Sequence, residues 1–237
     1  MSIWSAISSG LSSIGSAICS GISALGSAIG GALSSTISSV STSIVAGLGI
    51  GLTLPELLIG MAVVSSIVSF IAEALGIKKK EESPEELAMK AEQSDKKPED
   101  FDSINSYIDY LRENIKVDKE KLNNLSDEEK LKYQAYGTGL YIKAIEEKES
   151  MNISTDFLIK AKDLNMDGKQ VKAYIDSFKE SGIDDMDDMV HYLKNDINEK
   201  GHMMKVDGAI INALKELNPE MSEEEIYDKL NNMVIED

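Results

Sequence analysis

The chain has 237 residues and a formal charge of −17, from 41 acidic and 24 basic side chains. A surface this acidic repels nucleic acid at long range, so no specific nucleic acid recognition is expected. The one cysteine, Cys19, cannot close an intrachain disulfide, which points to a reducing compartment or a virion rather than a disulfide-stabilised secreted fold.

The charge is unevenly spread. Between Met1 and Ile77 only Glu56 and Glu73 are charged, so the remainder holds every basic residue and carries −15. With no Lys or Arg ahead of the apolar region, a secretory signal peptide is not expected.

Residues 1–43 form a repeat of 11 residues: SAISSGLSSIG from Ser5, SAICSGISALG from Ser16 and SAIGGALSSTI from Ser27. Large apolar residues recur every three or four positions, at Ile7, Leu11, Ile14, Ile18, Ile22, Leu25, Ile29, Leu33, Ile37, Val40 and Ile44. Three helical turns take about 11 residues, so the spacing predicts one long helix with a single Ile/Leu stripe. The opposite side carries almost nothing larger than serine. Each helical glycine costs about 1 kcal/mol relative to alanine, so this helix is poor alone in water. A bilayer, a partner or further copies of the chain must cover the stripe. Its residues, together with Trp4, are therefore the expected membrane or oligomer interface. The Trp4 indole suits a membrane boundary and equally the capped end of a packed bundle.

Residues 44–77 are more apolar still. Pro55 starts a second helix with Thr53 as its N-cap. The uncharged run Leu57 to Ala72 gives about 24 Å of helix, short of a bilayer core of roughly 30 Å, and Glu56 and Glu73 as interfacial ends complete the span. Lys78, Lys79 and Lys80 follow at once, as at a membrane edge. A buried hairpin in a soluble assembly, with solvated lysines, would give the same pattern.

Residues 78–100 read as a charged linker with a short helix, opened by the capping box Ser83 to Glu86 and followed by the run QSDKKPED. Residues 101–237 read as an acidic helical domain. Its first helix carries Phe101, Ile104, Ile108, Leu111 and Ile115 on one face. Ser126 to Glu129 opens the next, in which Gly137 and Gly139 either kink the helix or admit a close neighbour. Further helices are predicted near 155–164, over 169–181 with Gly182 as the stop, after Asp184 or Asp185, and over 206–217 and 223–234. No window alternates with period two. The class is all-α.

Little points to chemistry. Asp163, Asn165 and Asp167 match the first half of an EF-hand loop, but Tyr174 stands where a bidentate carboxylate is required, so a helix–turn–helix connection explains them better. Asp184, Asp185, Asp187 and Asp188 suit the start of a helix. His191 and His202 lack partners at zinc-ligand spacing. Met186, Met189, Met203, Met204, Met221 and Met233 read as adaptable core. No nucleophile–base arrangement and no phosphate-cradling glycine loop is present, so neither an enzyme nor a cofactor is expected.

The run IWSAISSGLSSIGSAICSGISALGSAIGGAL resembles the hydrophobic, Ser/Ala/Gly/Ile-rich segments inside bacteriophage tape measure proteins. The resemblance covers about the first 45 residues and nothing after Lys78. It implies a component of a virion or tail-like particle, stored within the particle, able to enter the host cell membrane on delivery.

The expected function is thus a minor structural protein of a phage or tail-like particle. Its N-terminal helices would oligomerise, contact other virion proteins and meet a lipid bilayer during genome passage. A holin-like or small pore-forming protein of the cytoplasmic membrane is one alternative. A soluble scaffold or chaperone-like interaction module is the other.

Overall fold

The computed structural model describes the backbone of residues 3–48 and 52–234, and side chains from residue 16 onward within those limits. The fold is all-α. Among the described residues there is no strand, and the one extended pairing is an isolated bridge between Asn152 and Asp185. The chain divides into two compact units, Met1–Lys148 and Glu149–Asp237. The expected limits at 43, 77 and 100 do not coincide with this division, because the apolar helices pack onto helices of the acidic part.

In the first unit the repeat forms two helices rather than one, α1 (Ile3–Ile29) and α2 (Ala32–Leu48). The break is at Gly30 and Gly31, with φ of +79° and +94°, a region that costs residues bearing a Cβ about 1–2 kcal/mol. A Cβ on Gly31 would also lie 2.1 Å from the Glu99 carboxylate. That carboxylate accepts from the Leu33 N–H at the start of α2. The run expected to be a linker is therefore a packed clamp: Pro98–Asp100 is a 3₁₀ turn with Pro98 buried, seated on the tip of the hairpin.

α3 (Leu54–Ala74) starts as predicted, with the Glu56 carboxylate accepting from the Thr53 N–H and hydroxyl, both at 2.7 Å. α4 (Pro84–Gln93) opens on Ser83, whose hydroxyl accepts from Glu86 N–H at 3.1 Å. α5 (Ile104–Asn114) buries Ile104, Ile108 and Leu111, with Phe101 half-buried before it. α6 (Lys119–Asn123), a single turn below the length at which periodicity is readable, is the one short helix the pattern does not announce.

α7 (Asp127–Glu149) is the centre of this unit. Every residue from Tyr133 to Ile142 is buried, so the helix is covered on all sides. The two glycines admit close neighbours on different sides. A Cβ on Gly137 would meet the Pro84 carbonyl at 1.9 Å, and one on Gly139 would meet Ser41 Oγ at 2.3 Å.

The second unit holds α8 (Thr155–Asp163), α9 (Gly168–Glu180), α10 (Asp187–Leu193), α11 (Lys200–Leu217) and α12 (Glu223–Asn231). Local signals place these well. Ser154, Asp167 and Ser222 accept from the N–H three residues on, and Gly182 ends α9 at φ +65°. α9 lies on α11, where Ser177 Oγ donates to the Ala209 carbonyl at 2.7 Å. α11 starts six residues earlier than predicted, because its first two turns carry no apolar stripe to announce them.

Candidate functional site

The Ile/Leu stripe is covered from within the chain. Ile18, Ile22, Leu25, Ile29, Ile37 and Ile44 are buried, Val40 is half-buried, and only Leu33 of the described members is exposed. Trp4, Ile7, Leu11 and Ile14 lie outside the described side chains. The expectation that a bilayer, partner or copies must bury the stripe is corrected for the described part: α2, α4 and the central α7 share in covering it. The small residues have a second use. Ser34 Oγ donates to Gly26 O at 3.0 Å and Ser38 Oγ to Ile22 O at 3.1 Å, so α2 hydrogen-bonds the backbone of α1 at four-residue intervals. This is the close, small-residue packing that apolar helices use in membranes. Here it is folded against α7.

Three tyrosines of α7 join the hairpin and α4 to the centre. Tyr136 OH lies 2.6 Å from Ser34 Oγ, Tyr133 OH donates to Glu92 at 2.7 Å, and Tyr141 OH donates to Glu82 at 2.8 Å. Burial, opposed by the Ser34 bond, pushes the Tyr136 phenol up from 10 to about 12. Tyr107, Tyr133 and Tyr141 are raised too, burial being the largest cause in each. A phenol whose folded value lies above its unfolded one contributes stability that is whole below pH 10 and is lost as pH climbs through the folded value. Helix loss and tyrosinate absorbance should therefore rise together between pH 10 and 12. Ionisation of every tyrosine with the helix signal intact would contradict this arrangement.

α3 is the one described helix long and apolar enough to cross a membrane, and half of it is buried. Leu57, Met61, Val64, Ile67, Val68 and Ile71 face inward. The other side is bare: Ile59 is 66% exposed, Val63 38% and Phe70 46%. Ala62, Ser66 and Ala74 continue that exposed side at helical spacing, with Glu56 and Glu73 near its ends.

The C-terminal end of α3 is held by two cations from other helices. Lys148 donates to Leu75 O at 2.5 Å, and Arg112, the chain's only arginine, donates to Ile77 O at 2.6 Å. The same guanidinium engages Glu82 through Nε at 3.0 and 3.1 Å and through Nη2 at 2.5 Å. Glu82 is buried and also lies 3.7 Å from Lys90. Of the expected membrane-edge lysines, Lys79 and Lys80 are exposed, whereas Lys78 folds back toward the carbonyls of its own loop and Glu73, 3.8 Å away.

The weak metal candidates belong to a connection. Asn165 turns at φ +54°, Asp163 pairs with Lys162 at 3.0 Å, and Asp167 caps α9. The acidic cluster is likewise engaged: Asp185 accepts from Asn152, Asp187 from Ser154, and Asp188 lies 2.9 Å from His202. His191 stands 3.2 Å from Asp196. Among the described residues no group of three metal-ligating side chains converges.

The methionines divide. Met186, Met189 and Met233 are buried, while Met203, Met204 and Met221 are exposed, a correction to the reading of all six as core. Single-residue patterning could not separate them, because methionine scores as apolar wherever it stands. No family model matches this chain, and no curated protein or solved structure matches it.

Proposed function

We propose that this protein engages a lipid bilayer through the bare side of α3, and that its own acidic helices carry the apolar hairpin in a water-compatible form until then. The observation that carries this reading is the exposure of Ile59, Val63 and Phe70 on a helix of 21 residues, about 31 Å long. Fully burying such a side chain is worth about 1.5–3 kcal/mol. Three partly covered ones, together exposing about one and a half side chains, amount to a weak, reversible hold of about 2–4.5 kcal/mol, which suits docking on the surface. Exposed Lys79 and Lys80 at the end of α3 favour an anionic surface. Full insertion demands more: the buried side of α3 gains nothing by exchanging protein for lipid until Arg112 and Lys148 release its end. A phage or tail-like particle, delivering the protein to a host membrane with copies of itself and other virion proteins, is the setting in keeping with the repeat.

Vesicle flotation of the full chain tests the reading. The protein should rise with vesicles containing anionic lipid and less with neutral ones, and Ile59→Glu with Phe70→Glu should abolish the effect. A chain that stays below both kinds of vesicle sinks the proposal. It would favour the second reading, a soluble helical interaction scaffold, for which the internal burial of Ile22, Leu25, Ile37 and Ile44 is the supporting observation.

A further inference from the structure

Two of the three exposed methionines of the second unit lie at one place. Met203 is 38% and Met204 64% exposed, and both line a groove of about 690 Å³ formed by the end of α10, the start of α11 and the end of α12. Tyr192, Ile197 and Val234 supply the rest of its apolar lining. Asp207, the only charged residue among the described residues of the lining, accepts from the Tyr192 hydroxyl. On α12, Asn231 lines the groove, and helical spacing puts Glu224, Tyr227 and Asp228 on that same face, all exposed. No lysine lines the groove, and the whole unit carries 21 acidic against 10 basic residues.

These features select one kind of occupant. Exposed methionines beside a polar rim adapt to apolar surfaces of varied shape. The walls are helices and offer no unpaired strand edge, so recognition through an added β-strand is closed and a helix laid in the groove is the remaining peptide mode. The carboxylates, unbalanced by any lysine in the lining, set the sign of the partner's polar face. We propose that this groove docks an amphipathic helix of another protein, with its apolar side on Met203 and Met204 and a basic side toward Asp207 and the α12 carboxylates. This interaction is independent of the bilayer reading of α3.

The test is fluorescence anisotropy of the full chain with a labelled Leu/Lys amphipathic peptide about four turns long. Saturable binding is expected, and the same peptide with Glu in place of Lys should not bind. Met203→Ser with Met204→Ser leaves the net charge unchanged and should weaken binding about tenfold or more, since each removes an apolar anchor. Met204→Lys alone, at the more exposed position, should do likewise without disturbing the fold. Ile59→Ser with Phe70→Ser, on α3, should leave binding as it was. Methionine variants that bind like the parent would reduce the effect to diffuse attraction by an acidic surface and overturn the proposal. Loss of binding in the α3 variant, or no saturable binding at all, would overturn it too.

Discussion

Replacing Arg112 with alanine should destabilise the first unit by about 3–5 kcal/mol, the range for removing one partner of a buried ion pair. The loss exceeds that of a surface pair for a structural reason. Arg112 touches three separate elements: Glu82 before α4, the Ile77 carbonyl after α3, and Asp109 one turn back on α5 at 2.9 Å. Its removal leaves the Glu82 carboxylate, itself buried, with only Tyr141 and the more distant Lys90. It also leaves the Ile77 carbonyl without its donor. Arg112→Lys should recover little, because an ammonium cannot serve Glu82 and the Ile77 carbonyl with the same fixed fork. Arg112→Met with Glu82→Leu should recover much of the loss, since removing both charges removes the desolvation penalty with them. Urea unfolding followed by far-ultraviolet ellipticity measures all three. An Arg112→Ala protein within 1 kcal/mol of the parent would mean that the cluster is solvated and holds nothing, against about 0–1 kcal/mol for an exposed pair. In the bilayer reading this variant has a further consequence: with the end of α3 loosened, more of the chain should resist extraction from vesicles.

Among the described helical glycines, Gly137→Ala should be the most damaging single-methyl addition, and Gly208→Ala should be harmless. Both glycines are inside helices, where alanine is intrinsically favoured by about 1 kcal/mol. At Gly208 nothing lies within 4 Å of an added Cβ, so that preference stands alone and the substitution should be neutral or stabilising by about 0.5–1 kcal/mol. At Gly137 the Cβ would lie 1.9 Å from the oxygen, 2.5 Å from the carbonyl carbon and 2.8 Å from the Cα of Pro84. These are backbone atoms and cannot rotate away. α4 must back off α7, opening the packing around Leu87 and Tyr141, at a cost of about 3 kcal/mol or more. Amide hydrogen exchange along α7 in the two variants tests the contrast. Equal protection in both would show that α4 does not press on Gly137.

Much of the helical framework was legible because its signals are local. Ser83, Ser126 and Ser222 each mark a helix start by offering an oxygen to an N–H within one turn, and Gly182 marks a stop through its own φ. The inward face of α5 followed from spacing alone, whereas the glycine pair of α7 left two readings open, a kink or a close neighbour. What spacing could not say was which neighbour. The apolar spacing continues unbroken through Gly30 and Gly31, so periodicity alone reads one straight helix; the Gly-Gly pair is the local mark of the turn, while the clamp of Glu99 on Leu33, 66 positions away, comes only with the fold. The same holds for the methionines, alike in sequence and divided by packing.

By itself, the chain's sequence determined the all-α class, most helix limits, and the existence of an apolar stripe too greasy to stand in water. Tertiary structure decided who covers that stripe. Burial is satisfied by any apolar surface that fits, so the pattern states a need without an address; Tyr136 against Ser34, Gly139 against Ser41 and Arg112 against Ile77 are long-range fits that supply one. The same packing left Ile59, Val63 and Phe70 on the surface, on a helix whose composition is mostly apolar.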